Sequence, residues 1–378
     1  FTLKGGAEEL EPPFTFHGFR YVEVTGLPTK PGAELVTGIV AHSAMTPAGT
    51  FSCSSPLVNQ LVSNIVWGQK GNYFEVPTDC PQRDERLGWT GDAQFFVNTA
   101  AYSFDVASFM ARWLKTLAQD AQLEDGTFAH VAPKVNERGG STAWGDAAIV
   151  CTNWMYHAYG DTRIIRENYE PMKRYMKWLD SKTINGIAKV GGFGDWVNLG
   201  DPTSQDLIDT AYRAELLRMM SEMALVIGKS EESHAFDTAR DETVKAFRAR
   251  FLAEDGSLRE SGQTGYALAF TMGLIPHEKM GETAKHYAGA IERKNWHLAT
   301  GFIGTPRLLT GLHNAGRDDV AHRLLFNDDY PSWLYQVKLG ATTMWERWDG
   351  WTSERGFQDV GMNSFNHYAF GAVGEPGC

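Results

Sequence analysis

The chain has little cysteine, no membrane-length hydrophobic run and no excess of basic residues. Its four cysteines, Cys53, Cys80, Cys151 and Cys378, are too widely spaced to indicate a disulfide framework or a metal cluster, and they leave the redox compartment undecided. No apolar run approaches the roughly 18 residues of a membrane span. Lys and Arg total 35 against 46 Asp and Glu, and the net charge of −11 disfavours binding to nucleic acid or to an anionic membrane through a basic patch.

Several familiar catalytic motifs are also missing. The 11 histidines include no His-Glu-x-x-His and no close pair at ligand spacing, which disfavours a metallohydrolase. Gly228-Lys229-Ser230 lacks the upstream glycine of a phosphate-binding loop, and there is no Gly-x-Ser-x-Gly nucleophile elbow. The chain begins at Phe1 without a signal-peptide pattern and is expected to be part of a longer protein, so its compartment stays undetermined.

Tryptophan, by contrast, is abundant and placed unusually. With 378 residues, of which 43% are hydrophobic and 21% charged, the composition is that of a globular protein large enough to bury a core without disulfides. Many of the 12 Trp lie beside charged residues, as in Asp195-Trp196 and Trp345-Glu346. An indole face next to carboxylates suits a sugar, which offers a C–H face and hydroxyls. The alternative is that these large rings simply fill the core.

The first 52 residues differ in pattern from the rest. Residues 14–24 and 34–41 are rich in β-formers, and their alternation predicts strands. This segment is too short for an independent sheet domain, so we interpret residues 1–52 as the end of a preceding β-domain plus a linker. Residues 53–378 form the second predicted domain.

The second domain is predicted to be helical throughout. Ten segments show helical periodicity: about 56–71, 92–117, 144–159, 162–181, 205–228, 231–252, 264–273, 277–292, 304–315 and 317–327. No repeat of fixed period is present, which favours a closed helical barrel over a solenoid. The longer connections between helices are rich in Gly, Trp and carboxylates, and long loops of this kind usually carry function.

The densest connection is residues 77–92, which hold four carboxylates and two arginines. A charge run is usually a solvated face, but the prolines, glycines and Trp89 here fix a backbone shape. Either residues 85–92 are helical, with Glu85, Trp89 and Asp92 on one face, or Thr90 caps a helix that begins afterwards. In both cases the carboxylates are crowded. Crowding and desolvation raise carboxyl pKa values, which suits a general acid.

A glycosidase needs a second carboxylate, and Glu346 is the best candidate. It lies between Trp345 and Trp348 in Thr342-Thr343-Met344-Trp345-Glu346-Arg347-Trp348. From the residues alone, two roles are equally favoured: a general base, or a structural carboxylate paired with the adjacent Arg347.

The stretch Asp79 to Asp92, Asp-Cys-Pro-Gln-Arg-Asp-Glu-Arg-Leu-Gly-Trp-Thr-Gly-Asp, resembles the signature of bacterial α-L-rhamnosidases of glycoside hydrolase family 78. Four shorter motifs follow in the family's order: Ala143-Trp144-Gly145-Asp146-Ala147, Gly194-Asp195-Trp196, Thr343-Met344-Trp345-Glu346-Arg347-Trp348 and Asn363-Ser364-Phe365-Asn366-His367-Tyr368. The opening residues 14–26 resemble the end of the β-domain that precedes the family's catalytic domain.

This resemblance implies a mainly α fold, an (α/α)6 barrel of six helical hairpins, that hydrolyses terminal α-L-rhamnosyl groups with inversion. Glu85 would be the general acid and Glu346 the general base, roughly 6.5–9.5 Å apart. The family likeness assigns sugar binding to seven residues: Asp79, Arg83, Trp89, Asp92, Trp144, Trp196 and His367. Asp146 and Asp195 are further candidates, with helix capping as the alternative.

The remaining expectations concern ligands, rivals and the end of the chain. No cofactor or metal is expected, and the partners would be rhamnose-containing glycosides or polysaccharides, not nucleic acid or membrane. Residues 370–374 should lead into a final barrel helix, but Pro376 would end it, so this helix is expected to be truncated. A polysaccharide lyase on a similar barrel fits the acidic loops badly. A non-catalytic sugar-binding fragment is the alternative from another class.

Overall fold

The computed structural model describes residues 2, 4–359 and 361–375. Twelve α-helices are present among them: α1 (Pro56–Asn72), α2 (Thr90–Ser103), α3 (Ala107–Gln119), α4 (Ala147–Tyr159), α5 (Thr162–Ser181), α6 (Gln205–Val226), α7 (Ser230–Phe251), α8 (Gln263–Thr271), α9 (Met280–Glu292), α10 (Thr305–Asn314), α11 (Asp318–Leu325) and α12 (Trp333–Lys338). Three short 3₁₀-helices cover Ala33–Leu35, His277–Lys279 and Ala369–Gly374.

Three two-stranded antiparallel hairpins lie in the connections between helices. They pair β1 (Tyr73–Phe74) with β2 (Val76–Pro77), β3 (Thr183–Ile184) with β4 (Ile187–Ala188), and β5 (Trp351–Thr352) with β6 (Gly356–Phe357). In register, Tyr73 faces Pro77, Thr183 faces Ala188, and Trp351 faces Phe357.

Alternate helices form an inner ring. Helices α2, α4, α6, α8 and α10 pack side by side in that order, and the 3₁₀-helix Ala369–Gly374 packs between α10 and α2 and closes the circle. Thr99 of α2 donates its hydroxyl to the carbonyl of Ala372 at 3.1 Å across this closure. The ring therefore has six positions, five of them α-helical, and the predicted six-hairpin helical barrel is confirmed.

Inner and outer helices differ in how their apolar residues are distributed. Every residue of α8 from Gln263 to Phe270 is buried, as expected for a helix surrounded by protein. In the outer helix α5, buried residues recur at helical spacing, as at Ile165, Tyr169 and Met172, while the opposite face is charged. The core therefore lies between the two rings. No helix in the described part of the chain is both long and apolar enough to span a membrane.

Local signals explain several helix ends. The Ser55 hydroxyl accepts from the Val58 amide at the start of α1, where Pro56 occupies the first turn. Asp161 caps α5 in the same way, and Gly160, at φ 67°, ends α4 in the left-handed conformation that glycine tolerates best. The segment predicted as helical over 92–117 is divided in two at Phe104. Helix α12 was not predicted.

The strands predicted over 14–24 and 34–41 are not formed. Among the described residues of this segment, Ala33–Leu35 makes a 3₁₀ turn and the rest has no regular structure. Phe19 and Tyr21 are exposed. Neither stretch lies beside a strand with which to pair, and alternation alone cannot supply the missing hydrogen bonds. At the other end Pro376, on which the predicted helix stop rested, lies outside the described residues, and the sixth ring position is a 3₁₀-helix.

Two leucines of the same helix test the ring architecture. Leu216 of α6 is fully buried between the rings, whereas Leu225 of α6 is 62% exposed. Leu216→Ala should lower the free energy of unfolding by about 2–5 kcal/mol, because it leaves a cavity in a packed core. Leu225→Ala should change it by less than about 0.5 kcal/mol. Urea unfolding of both variants measures the difference, and equal effects would contradict the assignment of inner and outer faces.

Candidate active site

All nine predicted site residues line one cavity of about 250 Å³. They are Asp79, Arg83, Glu85, Trp89, Asp92, Trp144, Trp196, Glu346 and His367. Each lies in a connection that leads into an inner element, or in the first turn of α2. The cavity therefore opens at the end of the barrel where the inner helices begin. Phe193, Phe302 and Met362 complete its lining.

The loop before α2 is closed by hydrogen bonds at both ends. The Asp79 amide donates to the Leu87 carbonyl at 2.9 Å, and the Leu87 amide donates to Asp79 Oδ1 at 2.8 Å. Helix α2 begins at Thr90, so Glu85 belongs to this loop and not to a helix. Of the two predicted arrangements, the helix that begins late is the one observed, although Thr90 is its first residue and not its cap.

Two glycines of this loop permit close approaches. A Cβ at Gly88 would lie 2.2 Å from the carbonyl oxygen of Ala132, and one at Gly91 would lie 2.4 Å from Nε1 of Trp144. Any side chain at Gly91 would displace the Trp144 indole from the start of α2. These glycines therefore allow the loop and the start of α2 to pack closely against Ala132 and Trp144.

Arg83 links the two candidate catalytic carboxylates. Its Nη2 lies 2.7 Å from Glu85 Oε2, and its Nη1 donates to Glu346 Oε2 at 2.8 Å. Asp79 Oδ2 lies 3.6 Å from the same guanidinium. Burial is the largest single effect and lowers the pKa of the Arg83 guanidinium, but the hydrogen bond and charge of Glu346, together with Cys80 and Glu85, raise this pKa above its ordinary value. One cation therefore holds carboxylates from two distant segments of the chain.

The remaining contacts of the two glutamates differ. Glu85 Oε1 accepts from the Trp89 indole at 2.7 Å, and the Glu85 side chain is 28% exposed. Glu346 is buried, and its Oε2 also accepts from the Ser364 amide at 2.8 Å. Arg347 pairs with Asp349 at 2.9 Å, so the predicted alternative of a Glu346–Arg347 pair is not observed.

A buried histidine–carboxylate pair also lines the cavity. His367 Nε2 lies 2.6 Å from Asp92 Oδ1, and both residues are buried. Burial alone lowers the pKa of His367, but the adjacent Asp92 carboxylate, helped by Glu346 and Asp79, raises it to about 9. Burial raises the pKa of Asp79 to about 7; His367 opposes this shift, and Glu85 and Asp92 add to it. Burial is thus the main cause of the raised pKa of Asp79, and the predicted crowding of carboxylates adds a smaller contribution.

Aromatic rings form the walls. Phe193 is central, with its ring 4.7 Å from Trp144 and 6.0 Å from both Trp89 and Trp196. Phe302 lies 5.5 Å from the His367 ring. Sequence reasoning missed both phenylalanines. Phe193 could have been found, because it directly precedes the Gly194-Asp195-Trp196 motif, but Phe302 carries no signal of its own.

Unusual backbone conformations flank these residues. Arg86, Ala143 and Val197 have φ values of 51°, 68° and 54°. Arg86 directly follows Glu85, Ala143 directly precedes Trp144, and Val197 directly follows Trp196. Left-handed backbone is unfavourable for non-glycine residues, most of all for a β-branched valine, and such strain concentrates at functional sites.

Asp146 and Asp195 do not line the cavity. Asp195 accepts from the amides of Gly301 at 2.8 Å and Ile303 at 2.9 Å, and from Thr264, so it fixes the loop that leads into α10. Asp146 accepts from the Ala143 amide and the Tyr175 hydroxyl, both at 2.5 Å. Both are structural anchors, although neither caps the helix that directly follows it.

Two other features of the molecule could in principle bind a ligand. A larger cavity of about 780 Å³, lined by Trp345, Trp351 and Phe365 among others, has no carboxylate in its lining. Asp79, Cys80 and Glu85 bring possible metal-ligand atoms within 4.8 Å of one another. However, both Glu85 oxygens already accept hydrogen bonds, and burial raises the pKa of the Cys80 thiol, which disfavours the thiolate that metals bind.

A closed helical ring with carboxylates and indoles at one end defines the class of six-hairpin glycosidases. Comparison with known proteins specifies the family. Residues 46–375 match the family model of the bacterial alpha-L-rhamnosidase 6 hairpin glycosidase domain, and residues 1–42 match that of the bacterial alpha-L-rhamnosidase concanavalin-like domain. The chain belongs to the bacterial α-L-rhamnosidase family.

Individual relatives agree with this assignment. The chain is 45% identical to an alpha-L-rhamnosidase of Streptomyces avermitilis, over 99% of this chain and 36% of that protein. It is 40% identical to one of Formosa agariphila, over 98% of this chain and 41% of the relative. The chain therefore spans about two fifths of the length of these relatives.

Solved structures show the same architecture. A crystal structure of the Streptomyces avermitilis alpha-L-rhamnosidase complexed with L-rhamnose superposes with a TM-score of 0.96 at 45% identity, covering 99% of this chain and 36% of that one. The alpha-L-rhamnosidase of Aspergillus terreus gives a TM-score of 0.92 at 35% identity, covering 98% of this chain and 45% of that one.

The His367–Asp92 pair predicts a pH dependence of stability. The pKa of His367 is raised from 6.5 to about 9, so its contribution is complete below pH 6.5 and is lost as the pH rises through 9. His367→Gln should flatten this decline. Thermal unfolding midpoints measured across that range for both proteins provide the test, and equal slopes would contradict the pairing of a charged His367 with Asp92.

Proposed function

We propose that this protein hydrolyses terminal α-L-rhamnosyl groups with inversion of configuration, with Glu85 as general acid and Glu346 as general base. The observation that carries the proposal is the Arg83 guanidinium, which contacts both glutamates within one cavity walled by indoles. Two carboxyl groups in one sugar-sized cavity are the minimal apparatus of glycoside hydrolysis.

The different exposure of the two glutamates supports the division of roles. Glu85 is the more exposed, and a general acid has to reach the oxygen of a leaving group that extends out of the cavity. Glu346 is buried and held by Arg83 and the Ser364 amide, which suits a base that acts on a water beneath the sugar. The proton would pass from Glu85 to the glycosidic oxygen as the C–O bond breaks. The attacking water would give its proton to Glu346.

The inverting outcome depends on room for that water. Retaining enzymes keep their carboxyl groups about 5–5.5 Å apart, whereas inverting enzymes need roughly 6.5–9.5 Å. Here both carboxylates contact the Arg83 guanidinium, Glu85 through Nε and Nη2 and Glu346 through Nη1 and Nη2, and inversion requires that a water fit beside this cation. For proton delivery Glu85 must exchange a present contact, because both of its oxygens accept hydrogen bonds from Arg83 or Trp89.

Polar and apolar surfaces of the cavity suit a deoxy sugar. Asp79 and His367 line the cavity and offer a carboxylate and an imidazole to sugar hydroxyls, and Nδ1 of His367 has no hydrogen-bond partner among the described residues. Trp89, Trp144 and Trp196 offer faces to the C–H side and to the C6 methyl group of rhamnose. The Streptomyces avermitilis relative is described as complexed with L-rhamnose, which supports the same sugar class here.

Glu85→Gln tests the acid. A glutamine cannot donate a carboxyl proton, so the rate on a rhamnosyl disaccharide should fall by about 10²–10⁴-fold while rhamnose still binds. Asp84→Asn is the matched control, because Asp84 is fully exposed and does not line the cavity. Steady-state kinetics and rhamnose titration measure both effects. Unchanged turnover in Glu85→Gln would show that Glu85 is not the general acid, and rhamnose binding without any turnover in the unsubstituted protein would show a non-catalytic sugar-binding site.

The anomer of the first product tests the stereochemistry. Attack by a Glu346-activated water on the face opposite the leaving group should release β-L-rhamnose first. Proton NMR recorded in the first minutes of hydrolysis distinguishes it from the α-anomer before mutarotation. Initial release of the α-anomer would overturn the roles given to Glu85 and Glu346.

A further inference from the structure

The segment around Phe16 lies directly against the loop that carries Glu85. The Gly18 amide donates to the Pro81 carbonyl at 3.3 Å. A Cβ at Gly18 would lie 2.9 Å from both Pro81 Cγ and Gln82 Cβ, so only a glycine fits this approach. The Phe16 ring also stands 4.6 Å from the ring of Phe74. The N-terminal segment around Phe16 and Gly18 therefore packs against this loop.

Arg86 joins the segment to the loop. Its Nη1 donates to the Phe16 carbonyl at 3.1 Å, its Nε donates to the Arg83 carbonyl at 3.2 Å, and its guanidinium lies 5.6 Å from the centre of the Phe16 ring. Arg86 follows Glu85 and has a φ of 51°, a conformation that the surrounding contacts have to maintain. Arg86 itself does not line the cavity.

We infer that Arg86, anchored on Phe16, is a positioning residue that holds the Glu85 carboxyl group where it can protonate the leaving group. The inference rests on the proposed role of Glu85 as general acid. It gives the N-terminal segment a part in the chemistry: this segment fixes the backbone on one side of Glu85, whereas Arg83 and Trp89 hold the carboxyl group itself.

A misplaced general acid has a distinctive kinetic effect. A sugar leaving group departs as a poor alkoxide and needs the proton, whereas a nitrophenolate departs readily without it. A defect in rhamnose binding or in folding would instead slow both substrates equally. The ratio of kcat/KM for a rhamnosyl disaccharide and for a nitrophenyl rhamnoside therefore reports on the leaving-group side of the reaction, where the proton is delivered.

Arg86→Ala on the full chain should lower kcat/KM for the disaccharide by about 10–100-fold, as expected for a displaced catalytic group, with a loss below about threefold for the nitrophenyl rhamnoside. Gly18→Ala, which pushes the N-terminal segment away from Pro81, should shift the ratio in the same direction. Arg86→Lys keeps the charge but cannot bridge both carbonyls, so it should give an intermediate value. These two variants carry the test if Arg86→Ala fails to fold.

Arg248→Ala is the matched control, because Arg248 also donates to a backbone carbonyl, that of Leu274 at 2.8 Å, but lies in the outer helix α7. It should leave the ratio unchanged. Equal losses on both substrates, or no loss in Arg86→Ala and Gly18→Ala, would overturn the positioning role if Glu85→Gln still discriminates between the substrates. If Glu85→Gln itself shows no such discrimination, the proposed acid is wrong.

Discussion

The site depends on one half-buried cation, the Arg83 guanidinium, shared between two acidic groups. Arg83 contacts Glu85, two residues along the chain, and Glu346, which arrives from the opposite end of the sequence. Without Arg83, two carboxylates would face each other in a poorly solvated cavity, where like charges repel strongly. The loop before α2 and the segment before the closing 3₁₀-helix are therefore held together by electrostatics as well as by packing.

The barrel supplies the rigid frame that this arrangement needs. The connections that lead into α2, α4, α6, α10 and the closing 3₁₀-helix each contribute at least one residue to the cavity, while the inner elements pack against one another. Asp195 contributes by fastening the loop that carries Phe302. Loops that begin and end on a buried ring of helices hold their side chains in fixed positions. Their lengths can still vary, because the packing of the helices does not depend on loop length.

Sequence analysis identified the helical barrel and the nine cavity residues because contiguous motifs carry both. The 79–92 motif contains five of the nine, and the structure brings all nine to one cavity. Sequence analysis failed where the structure depends on contacts between residues that are far apart in the chain. The alternation over 14–24 describes two faces of a strand but not a neighbour to pair with. Phe302 and Met362 reach the cavity only through tertiary packing.

Ring closure has a consequence for the order in which the site can form. The acidic loop before α2 is synthesised before most of the barrel, whereas Glu346 and the closing Ala369–Gly374 turn come after α10, α11 and α12 in the chain. The earlier inner helices can therefore pack together before Glu346 reaches Arg83. A nascent chain that stops short of Glu346 lacks one half of the carboxylate pair that this arginine joins.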